Sequence, residues 1–259
     1  MELGITGKKA IVCASSRGLG RGAALALAEA GCALILNGRD GESLDGTMHE
    51  IRNAYGVEVT AVAGDVSDPA VQDRIFTACP EPDILVNNNG GPPRREFDEL
   101  DRAKIVGGVI HNMVTPLELI QRALPAMQAR GFGRIVNITS FSVKMPIPGL
   151  DLSSGARAGL TAFLKGVSSN VAASGVTINN LLPGRMNTDR LRAGFGRAAA
   201  GSGKTEDQVR AEAAKEVPAR RFGTAEEFGQ ICAFLCSIHA GYITGQNILV
   251  DGGLFPGAF

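Results

Sequence analysis

The stretch AIVCASSRGLG at residues 10–20 decides the fold of this chain of 259 residues. Its first five residues form a short apolar run that is typical of a buried strand, and helical spacing follows from about Gly20 to Ala30. Glycines between a strand and a helix let the backbone approach a pyrophosphate, and the helix N-terminus offers free N–H groups and the positive end of a dipole. The stretch therefore predicts a nucleotide site, with a tight turn that binds nothing as the alternative.

The same alternation of strand and helix continues to the end of the chain. Further apolar runs typical of strands lie at residues 33–36, 57–62, 84–86, 134–138, 176–178 and 248–250, with helix-like segments between them. Continuous apolar strands separated by helices indicate a parallel sheet that is covered on both faces. We therefore predict an α/β fold: one Rossmann-like, doubly wound domain over residues 1–259, with about seven strands and helices on both faces.

One segment does not follow the alternation. Residues 185–217 are rich in glycine, alanine and charge, and we expect them to be irregular or mobile. Long mobile loops often close over a ligand, and the part around 194–204 is a candidate for this role. We therefore interpret residues 185–217 as a lid over the substrate.

Composition excludes several classes of function. The chain has 26 basic and 26 acidic residues, which argues against a nucleic-acid surface. Its five cysteines form no C-x-x-C pair and its three histidines are scattered, so we expect buried thiols and no metal site. No signal peptide and no apolar run of roughly 18 residues is present, so we expect a soluble, cytoplasmic protein without a membrane partner.

Several short motifs follow one another over nearly the whole chain. The turn after the first strand resembles the pattern T-G-x-x-x-G-x-G, with Cys13 and Ala14 in place of Thr and the first Gly. The other motif segments are Asn87–Gly90, Gly133–Ser140, Pro183-Gly184 followed by Thr188, Tyr242–Gln246 and Asp251–Gly253. In kind and in order, these motifs resemble those of the short-chain dehydrogenase/reductase family, in particular its 3-oxoacyl-(acyl-carrier-protein) reductases.

The resemblance implies a nicotinamide cofactor and the residues that would bind it. The implied contacts are Ala14, Ser16, Arg17, Gly18, Leu19, Gly20, Arg39, Asp65, Val66, Asn87, Asn89, Gly90, Arg157, Pro183, Gly184 and Thr188. The second strand ends Asn37-Gly38-Arg39, without the carboxylate that usually accepts from the ribose of NAD. Arg39 and Arg17 favour a 2′-phosphate, and hence NADP(H), although both could be ordinary solvated arginines. Asp40 is better interpreted as a helix N-cap, and Asp65 as an adenine contact or the cap of a turn.

The catalytic residues that the resemblance implies are only partly present. Ser140 would orient the carbonyl oxygen, and Asn112 would hold a proton-relay water; a hydroxyl that bonds local backbone and a polar helix contact are the alternatives. The family's tyrosine and lysine would stand at 153 and 157, where this chain has Ser153 and Arg157. A serine hydroxyl is a much weaker acid than a tyrosine hydroxyl, whereas Arg157 can still bind ribose hydroxyls. Lys144 and His111 are alternative sources of the proton.

Three functions remain open on the sequence. The first is an NADP(H)-dependent reductase of a ketone or aldehyde, or the reverse alcohol dehydrogenase, with an altered catalytic set. The second is an NADP(H)-binding protein with little redox activity that acts as a sensor or partner subunit, and the third is an enzyme that resembles halohydrin dehalogenases. By analogy, residues 91–96 and 143–151 would line the substrate cleft, and Arg94, Arg95 and Arg190 would attract an anion or merely be solvated. The family also implies a homodimer or homotetramer through the helices near 100–125 and 153–173.

Overall fold

A computed structural model describes residues 2–258 and contains one parallel sheet of seven strands in the order β3-β2-β1-β4-β5-β6-β7. The strands are β1 (Lys9–Val12), β2 (Ala33–Gly38), β3 (Val59–Ala63), β4 (Ile84–Asn87), β5 (Gly133–Ile138), β6 (Val176–Pro183) and β7 (Asn247–Val250). The predicted α/β class and the parallel sheet are confirmed. The strand order reverses direction between β1 and β4, so the carboxyl ends of these two strands border the natural ligand crevice.

Helices cover both faces of the sheet. They are α1 (Gly18–Glu29), α2 (Gly41–Tyr55), α3 (Pro69–Ala78), α4 (Arg102–Val109), α5 (Thr115–Arg130), α6 (Asp151–Val171), α7 (Asp189–Ser202), α8 (Glu206–Glu216) and α9 (Ala225–Cys236). Side chains alternate across each strand, so Val12 belongs to the core beneath α1, α2 and α9, whereas Ile11 belongs to the core beneath α3, α5 and α6. Over residues 2–258, no helix combines the length and the apolar character needed to cross a membrane.

The helix-start and helix-stop signals in the sequence act as expected. The side chain of Asp40 accepts from the backbone N–H of Ser43 and caps α2, and Asp68 caps α3 ahead of Pro69. Gly31 follows the end of α1 with a φ of +82°, in the left-handed region that favours glycine. The local signals therefore fix where these helices begin and end.

The five cysteines are free and buried, as predicted. Burial raises the pKa of Cys13 to about 12, and that of Cys32 to about 12 as well, so both remain protonated thiols at neutral pH. Within residues 2–258, no group of three or more His, Cys, Asp or Glu side chains is placed to hold a metal ion.

The expectation that residues 185–217 are irregular is wrong. The segment forms α7 and α8, and Thr205 begins α8 with a reciprocal capping box to Gln208. Phe195 of α7 packs against Phe222 with ring centroids 5.4 Å apart, which anchors the helical pair to the rest of the chain. The role of this segment as a lid stays a prediction.

β6 is longer than the sequence indicates, because its polar residues form a buried ladder. Side-chain amides of Asn87, Asn137, Asn180 and Asn247 lie in register on β4, β5, β6 and β7. Each donates to the next, from Asn87 to Asn137 at 2.9 Å, from Asn137 to Asn180 at 3.0 Å and from Asn180 to Asn247 at 2.8 Å. The ladder satisfies most of the polar groups that would otherwise be unfavourable inside a sheet, and only Oδ1 of Asn87, at its start, has no partner among the described residues.

Breaking this ladder at its centre is expected to destabilise the protein. Asn137→Leu removes a partner from Asn87 and another from Asn180, so the free energy of unfolding should fall by about 2–4 kcal/mol. Asn247 lies exposed at the end of the ladder, and Asn247→Ala should cost less than about 1 kcal/mol. Urea denaturation of both variants measures the difference, and equal losses would show that the ladder contributes nothing specific.

Candidate active site

The turn after β1 is shaped for close approach of a ligand to the backbone. A Cβ on Gly20 would lie 2.2 Å from the carbonyl oxygen of Ala14 and 2.8 Å from Nδ2 of Asn88, so only glycine fits there. Nδ2 of Asn88, after β4, donates to that carbonyl oxygen at 3.3 Å and joins the two sides of the crevice. The N-cap residue of α1, Arg17, makes no side-chain capping bond, so the first N–H groups of the helix remain available for an anion.

The other implied cofactor residues surround the same turn. Thr188 approaches Gly18, whose Cβ position would lie 3.7 Å from the methyl carbon of Thr188. Val66 and Asn89 line a small cavity beside the turn, and Pro183 ends β6 at the same edge of the sheet. The fold thus gathers segments that are far apart in sequence around one crevice, which fits the outline of a dinucleotide.

Two cations, Arg17 of the glycine turn and Arg39 after β2, lie on this side of the crevice without a salt bridge to any described residue. Within residues 2–258, neither Arg17 nor Arg39 forms an ion pair. Nη2 of Arg39 lies 3.8 Å from the Cβ position of Gly90, so this guanidinium reaches across the crevice. Hydrogen bonds from Ser43, together with the charge of Arg17, hold the pKa of Asp40 below its usual value, in keeping with its work as a helix cap.

Asp65 caps a turn, which was one of its two predicted roles. Its carboxylate accepts from the backbone N–H of Ser67 at 2.9 Å and from the Ser67 hydroxyl at 2.6 Å. Burial opposes ionisation of Asp65, but these hydrogen bonds and the charges of His111 and Arg39 outweigh it and lower the pKa. A contact between Asp65 and adenine stays a prediction.

Arg157 is the best-anchored polar side chain of the site. Its Nη1 donates to the carbonyl oxygen of Ile138 at 2.8 Å and its Nη2 to that of Asn89 at 3.1 Å. Its Nε donates to the Ser153 hydroxyl oxygen at 3.1 Å. Burial, helped by the charge of Arg190, lowers the pKa of Arg157 to about 10, so the guanidinium stays protonated at neutral pH. Arg157 therefore ties α6 to the ends of β4 and β5, a role that the sequence did not reveal.

Ser153 and Ser140 differ in how their hydroxyl groups are used. The Ser153 oxygen accepts from Arg157 and, among the described residues, the hydroxyl donates to no protein group, so its proton is free for another acceptor. The Ser140 oxygen accepts from the backbone N–H of Ser142 at 3.1 Å and caps the short 3-10 turn Phe141–Val143. Ser140 thus has the local bond that was its alternative interpretation, while its own proton is likewise uncommitted within residues 2–258.

Asn112 lies in an irregular turn of the helical segment between α4 and α5. Residues Ile110–Val114 form a π-helical turn, a deviation that is often found at functional sites. Asn112 is buried, its Nδ2 donates to the carbonyl of Gly108 at 3.4 Å, and its Oδ1 has no partner among the described residues. The same cavity is lined by Asn87 and Thr115, which also have unpartnered side-chain oxygens, and by Arg157.

The two alternative proton sources lie in different places. His111 lines the cavity with Asn112, and its Nδ1 lies 2.6 Å from the carbonyl oxygen of Gly107, which makes Nδ1 the donor and leaves Nε2 for other partners. Lys144 instead lies 5.3 Å from the ring centre of Phe255 and lines a separate groove with Lys165. The geometry favours His111 over Lys144 as a neighbour of the cofactor.

Comparison with known proteins agrees with this geometry. A family model described as enoyl-(acyl carrier protein) reductase matches residues 13–255. The NADPH-dependent reductase BacG of Bacillus subtilis (strain 168) is 31% identical over 251 residues, covering 95% of this chain and 97% of that protein. The 3-oxoacyl-(acyl-carrier-protein) reductase FabG of Aquifex aeolicus (strain VF5) is 31% identical over 259 residues, covering 98% of this chain and 100% of that protein.

A solved structure gives the same result. L-sorbose reductase from Gluconobacter frateurii, complexed with NADPH and L-sorbose, has a TM-score of 0.94 at 27% identity, over 99% of this chain and 100% of that chain. The doubly wound sheet and the crevice at its switch point are those of a dinucleotide-dependent oxidoreductase fold. The chain belongs to the short-chain dehydrogenase/reductase family.

Proposed function

We propose that this protein is an NADP(H)-dependent oxidoreductase that reduces a ketone or aldehyde, or oxidises the corresponding alcohol. The observation that carries the proposal is the glycine turn at the switch point, where Gly20 leaves no room for a Cβ and α1 presents uncapped N–H groups. BacG is named as an NADPH-dependent reductase and the sorbose reductase structure contains NADPH, which supports the same cofactor here. Five buried free thiols support a reducing, cytoplasmic location.

Different residues of this chain would bind different parts of NADPH. The glycine turn and the α1 N-terminus fit the pyrophosphate, Arg17 and Arg39 fit the 2′-phosphate, and NADPH supplies a hydride when bound. The guanidinium of Arg157 has five N–H groups, of which three donate to protein acceptors. The two remaining N–H groups would donate to ribose hydroxyls.

Ser140 and Ser153 would serve the carbonyl oxygen of the substrate. Ser140 would donate a hydrogen bond that orients this oxygen, while Ser153 would give its proton to the oxygen as negative charge develops. The Arg157 cation bonds the Ser153 oxygen, which stabilises negative charge on that oxygen and makes the hydroxyl a better donor. Asn112, with its free Oδ1, would hold the water that restores the proton.

Turnover with a panel of ketones and aldehydes tests the proposal. We expect oxidation of NADPH, followed by its absorbance, to depend on the carbonyl compound, and Ser140→Ala to lower kcat by roughly 10²–10³-fold. Ser169, exposed near the end of α6, bonds only the carbonyl oxygen of Lys165, and Ser169→Ala is the matched control that should keep full activity. Binding of NADPH without turnover of any carbonyl would refute the reductase.

A second function, NADP(H) binding without redox chemistry, has one observation in its favour. Three N–H groups of Arg157 donate to protein acceptors, and the Ser140 oxygen caps a turn. Both residues therefore have structural roles that need no substrate. The dehalogenase alternative gains no support, because the crevice keeps a turn shaped for a dinucleotide.

Arg39 is expected to decide the choice between NADPH and NADH. Loss of a charge-assisted contact to the 2′-phosphate in Arg39→Ala should raise the dissociation constant of NADPH by roughly 10–100-fold and leave that of NADH nearly unchanged. Titration of the reduced cofactor by its fluorescence measures both constants. An equal effect on NADPH and NADH would mean that Arg39 does not contact the 2′-phosphate.

The oligomeric state is also proposed, as a homodimer or homotetramer. α4, its π-helical extension and α6 expose large apolar side chains that a monomer would leave in water: Ile105 is 45% exposed, Val106 46%, Ile110 39% and Phe163 54%. These helices are the predicted association surface. Sedimentation of Phe163→Asp against the parent protein tests it, since a buried charge in the interface would dissociate the assembly.

A further inference from the structure

Four arginines from three segments of the chain lie close enough beside the crevice for their charges to act on one another. Nη1 of Arg190, in α7, lies 3.4 Å from the carbonyl oxygen of Gly91, and its Nη2 lies 3.3 Å from that of Pro92. Burial, together with the charges of Arg197 and Arg94, lowers the pKa of Arg190. Burial and the charge of Arg190 in turn lower the pKa of Arg157. We call Arg94, Arg157, Arg190 and Arg197 the arginine cluster.

No carboxylate neutralises the arginine cluster within residues 2–258, where none of its members forms an ion pair. Two acids close to it in the chain are used elsewhere. Asp189 pairs with Arg192, and Glu96 takes part in a capping box with Glu99. Like charges gathered at the mouth of a cleft create a positive potential that attracts anions.

The anionic groups of the cofactor would bind at sites other than the arginine cluster. The pyrophosphate fits the turn after β1, and the 2′-phosphate fits Arg17 of that turn together with Arg39 after β2. The arginine cluster lies on the opposite side, where Arg157 bonds Ser153 and the ends of β4 and β5. It therefore faces the part of the crevice where a carbonyl substrate would react.

The contacts of Arg190 are of a kind that a ligand can replace. Its two bonds to the carbonyl oxygens of Gly91 and Pro92 are longer than the usual 2.9–3.0 Å of a strong N–H···O bond. A carboxylate or phosphate offers the same planar fork two charged acceptors, which makes shorter and stronger bonds.

From this arrangement we propose that the substrate is a carbonyl compound with an anionic group, a carboxylate or a phosphate, which Arg190 binds with the help of Arg94. The proposal rests on the proposed reductase function. In the reaction, the carbonyl carbon gains the hydride of NADPH and the oxygen gains a proton, so an oxo-anion becomes a hydroxy-anion and NADPH becomes NADP⁺.

Matched pairs of substrates test the proposal. Each pair consists of an oxo acid and its methyl ester, or a phosphorylated ketone and its free alcohol, and the two kinds of pair distinguish carboxylate from phosphate. We expect the parent protein to prefer the anion by at least tenfold in kcat/KM, and Arg190→Ala to lower kcat/KM for the anion by roughly 10–100-fold while changing the neutral partner less than threefold. Added salt should raise KM for the anion only.

Control variants separate specific binding from general effects. Arg190→Lys keeps the charge without the fork and should retain part of the preference. Arg74 lies exposed on α3, outside the predicted lid, and its guanidinium donates only to the carbonyl oxygen of Ala63 among the described residues, so Arg74→Ala should leave kcat/KM for both members of each pair unchanged. Equal losses for the anion and its neutral partner in Arg190→Ala would overturn the proposal, and so would a weaker NADPH affinity with an unchanged preference for the anion.

A separate binding measurement tests anion recognition even if the protein has no reductase activity. If no carbonyl compound is turned over, calorimetric titration of the protein–NADP⁺ complex with an oxo acid and with a phosphorylated ketone measures binding alone. Binding of either anion that Arg190→Ala weakens at least tenfold would support anion recognition even though the redox function fails. Equal affinity in the parent protein and Arg190→Ala, or no binding of either anion, would overturn it.

Discussion

Ser153→Tyr combined with Arg157→Lys is expected to raise kcat for carbonyl reduction by about 10²–10⁴-fold, the usual contribution of general acid catalysis. A tyrosine hydroxyl titrates near pH 10 and a neighbouring cation lowers this value, whereas a serine hydroxyl is a far weaker acid. Arg157 already supplies such a cation, and the lysine keeps the charge in the side chain that the resemblance to the family implies at this position. Steady-state oxidation of NADPH with one ketone, in the parent protein and the double variant, measures the gain.

The control for this gain replaces Ser153 by phenylalanine, again with Arg157→Lys. Phenylalanine fills the same volume as tyrosine without the hydroxyl, so kcat should not rise above that of the parent protein. A comparable gain in the phenylalanine variant would mean that packing rather than proton donation limits the rate. No gain in either variant would show that the rest of the site does not align a carbonyl compound with the cofactor.

Gly20→Ala is expected to weaken NADPH binding by roughly 100-fold, because the shifted turn would misplace charge-assisted hydrogen bonds to the pyrophosphate that are worth about 1.5–3 kcal/mol each. The new Cβ would lie 2.2 Å from the Ala14 carbonyl oxygen, so the turn or α1 must move. The same displacement should lower the free energy of unfolding by about 1–3 kcal/mol. Fluorescence titration and urea denaturation measure the two effects.

Gly46 provides the matched control for Gly20. It lies exposed in the middle of α2 with no atom within 4 Å of its Cβ position, so Gly46→Ala should stabilise the protein by about 0.5–1 kcal/mol and leave NADPH binding unchanged. Unchanged NADPH affinity in Gly20→Ala would mean that this turn is a packing feature and not the pyrophosphate site.

Most of the fold could be predicted from the sequence, since apolar runs such as that at Ile84 identify strands directly. The sequence-based predictions were wrong where polar or glycine-rich segments form buried strands or regular helices. Asn179 and Asn180 interrupt the apolar pattern of β6, yet both are buried, because neighbouring strands satisfy the amide of Asn180 and the segment before β7 satisfies that of Asn179. Residues 185–217 are rich in glycine, yet Thr188 and Thr205 begin two helices there.

The candidate site could be predicted only as a set of residues. The order of motifs placed Arg157 near Ser153, and the structure adds that a hydrogen bond of 3.1 Å joins them. Nothing in the sequence indicated that Arg157 also bonds the carbonyls of Ile138 and Asn89, because a backbone acceptor has no signature of its own. The assignments of Ser140, Asn112, Ser153 and Arg157 to catalysis stay predictions.

The sequence by itself determined the alternation of strands and helices, the glycine turn at residues 14–20 and the absence of a tyrosine at 153, because these follow from residue types and near-neighbour spacing. Only the tertiary structure decided what surrounds Arg157 and Arg190. These side chains meet partners that are 68 and 99 residues away, Asn89 and Gly91 respectively. Such contacts depend on how the strand ends come together in the sheet, and local sequence carries no record of that arrangement.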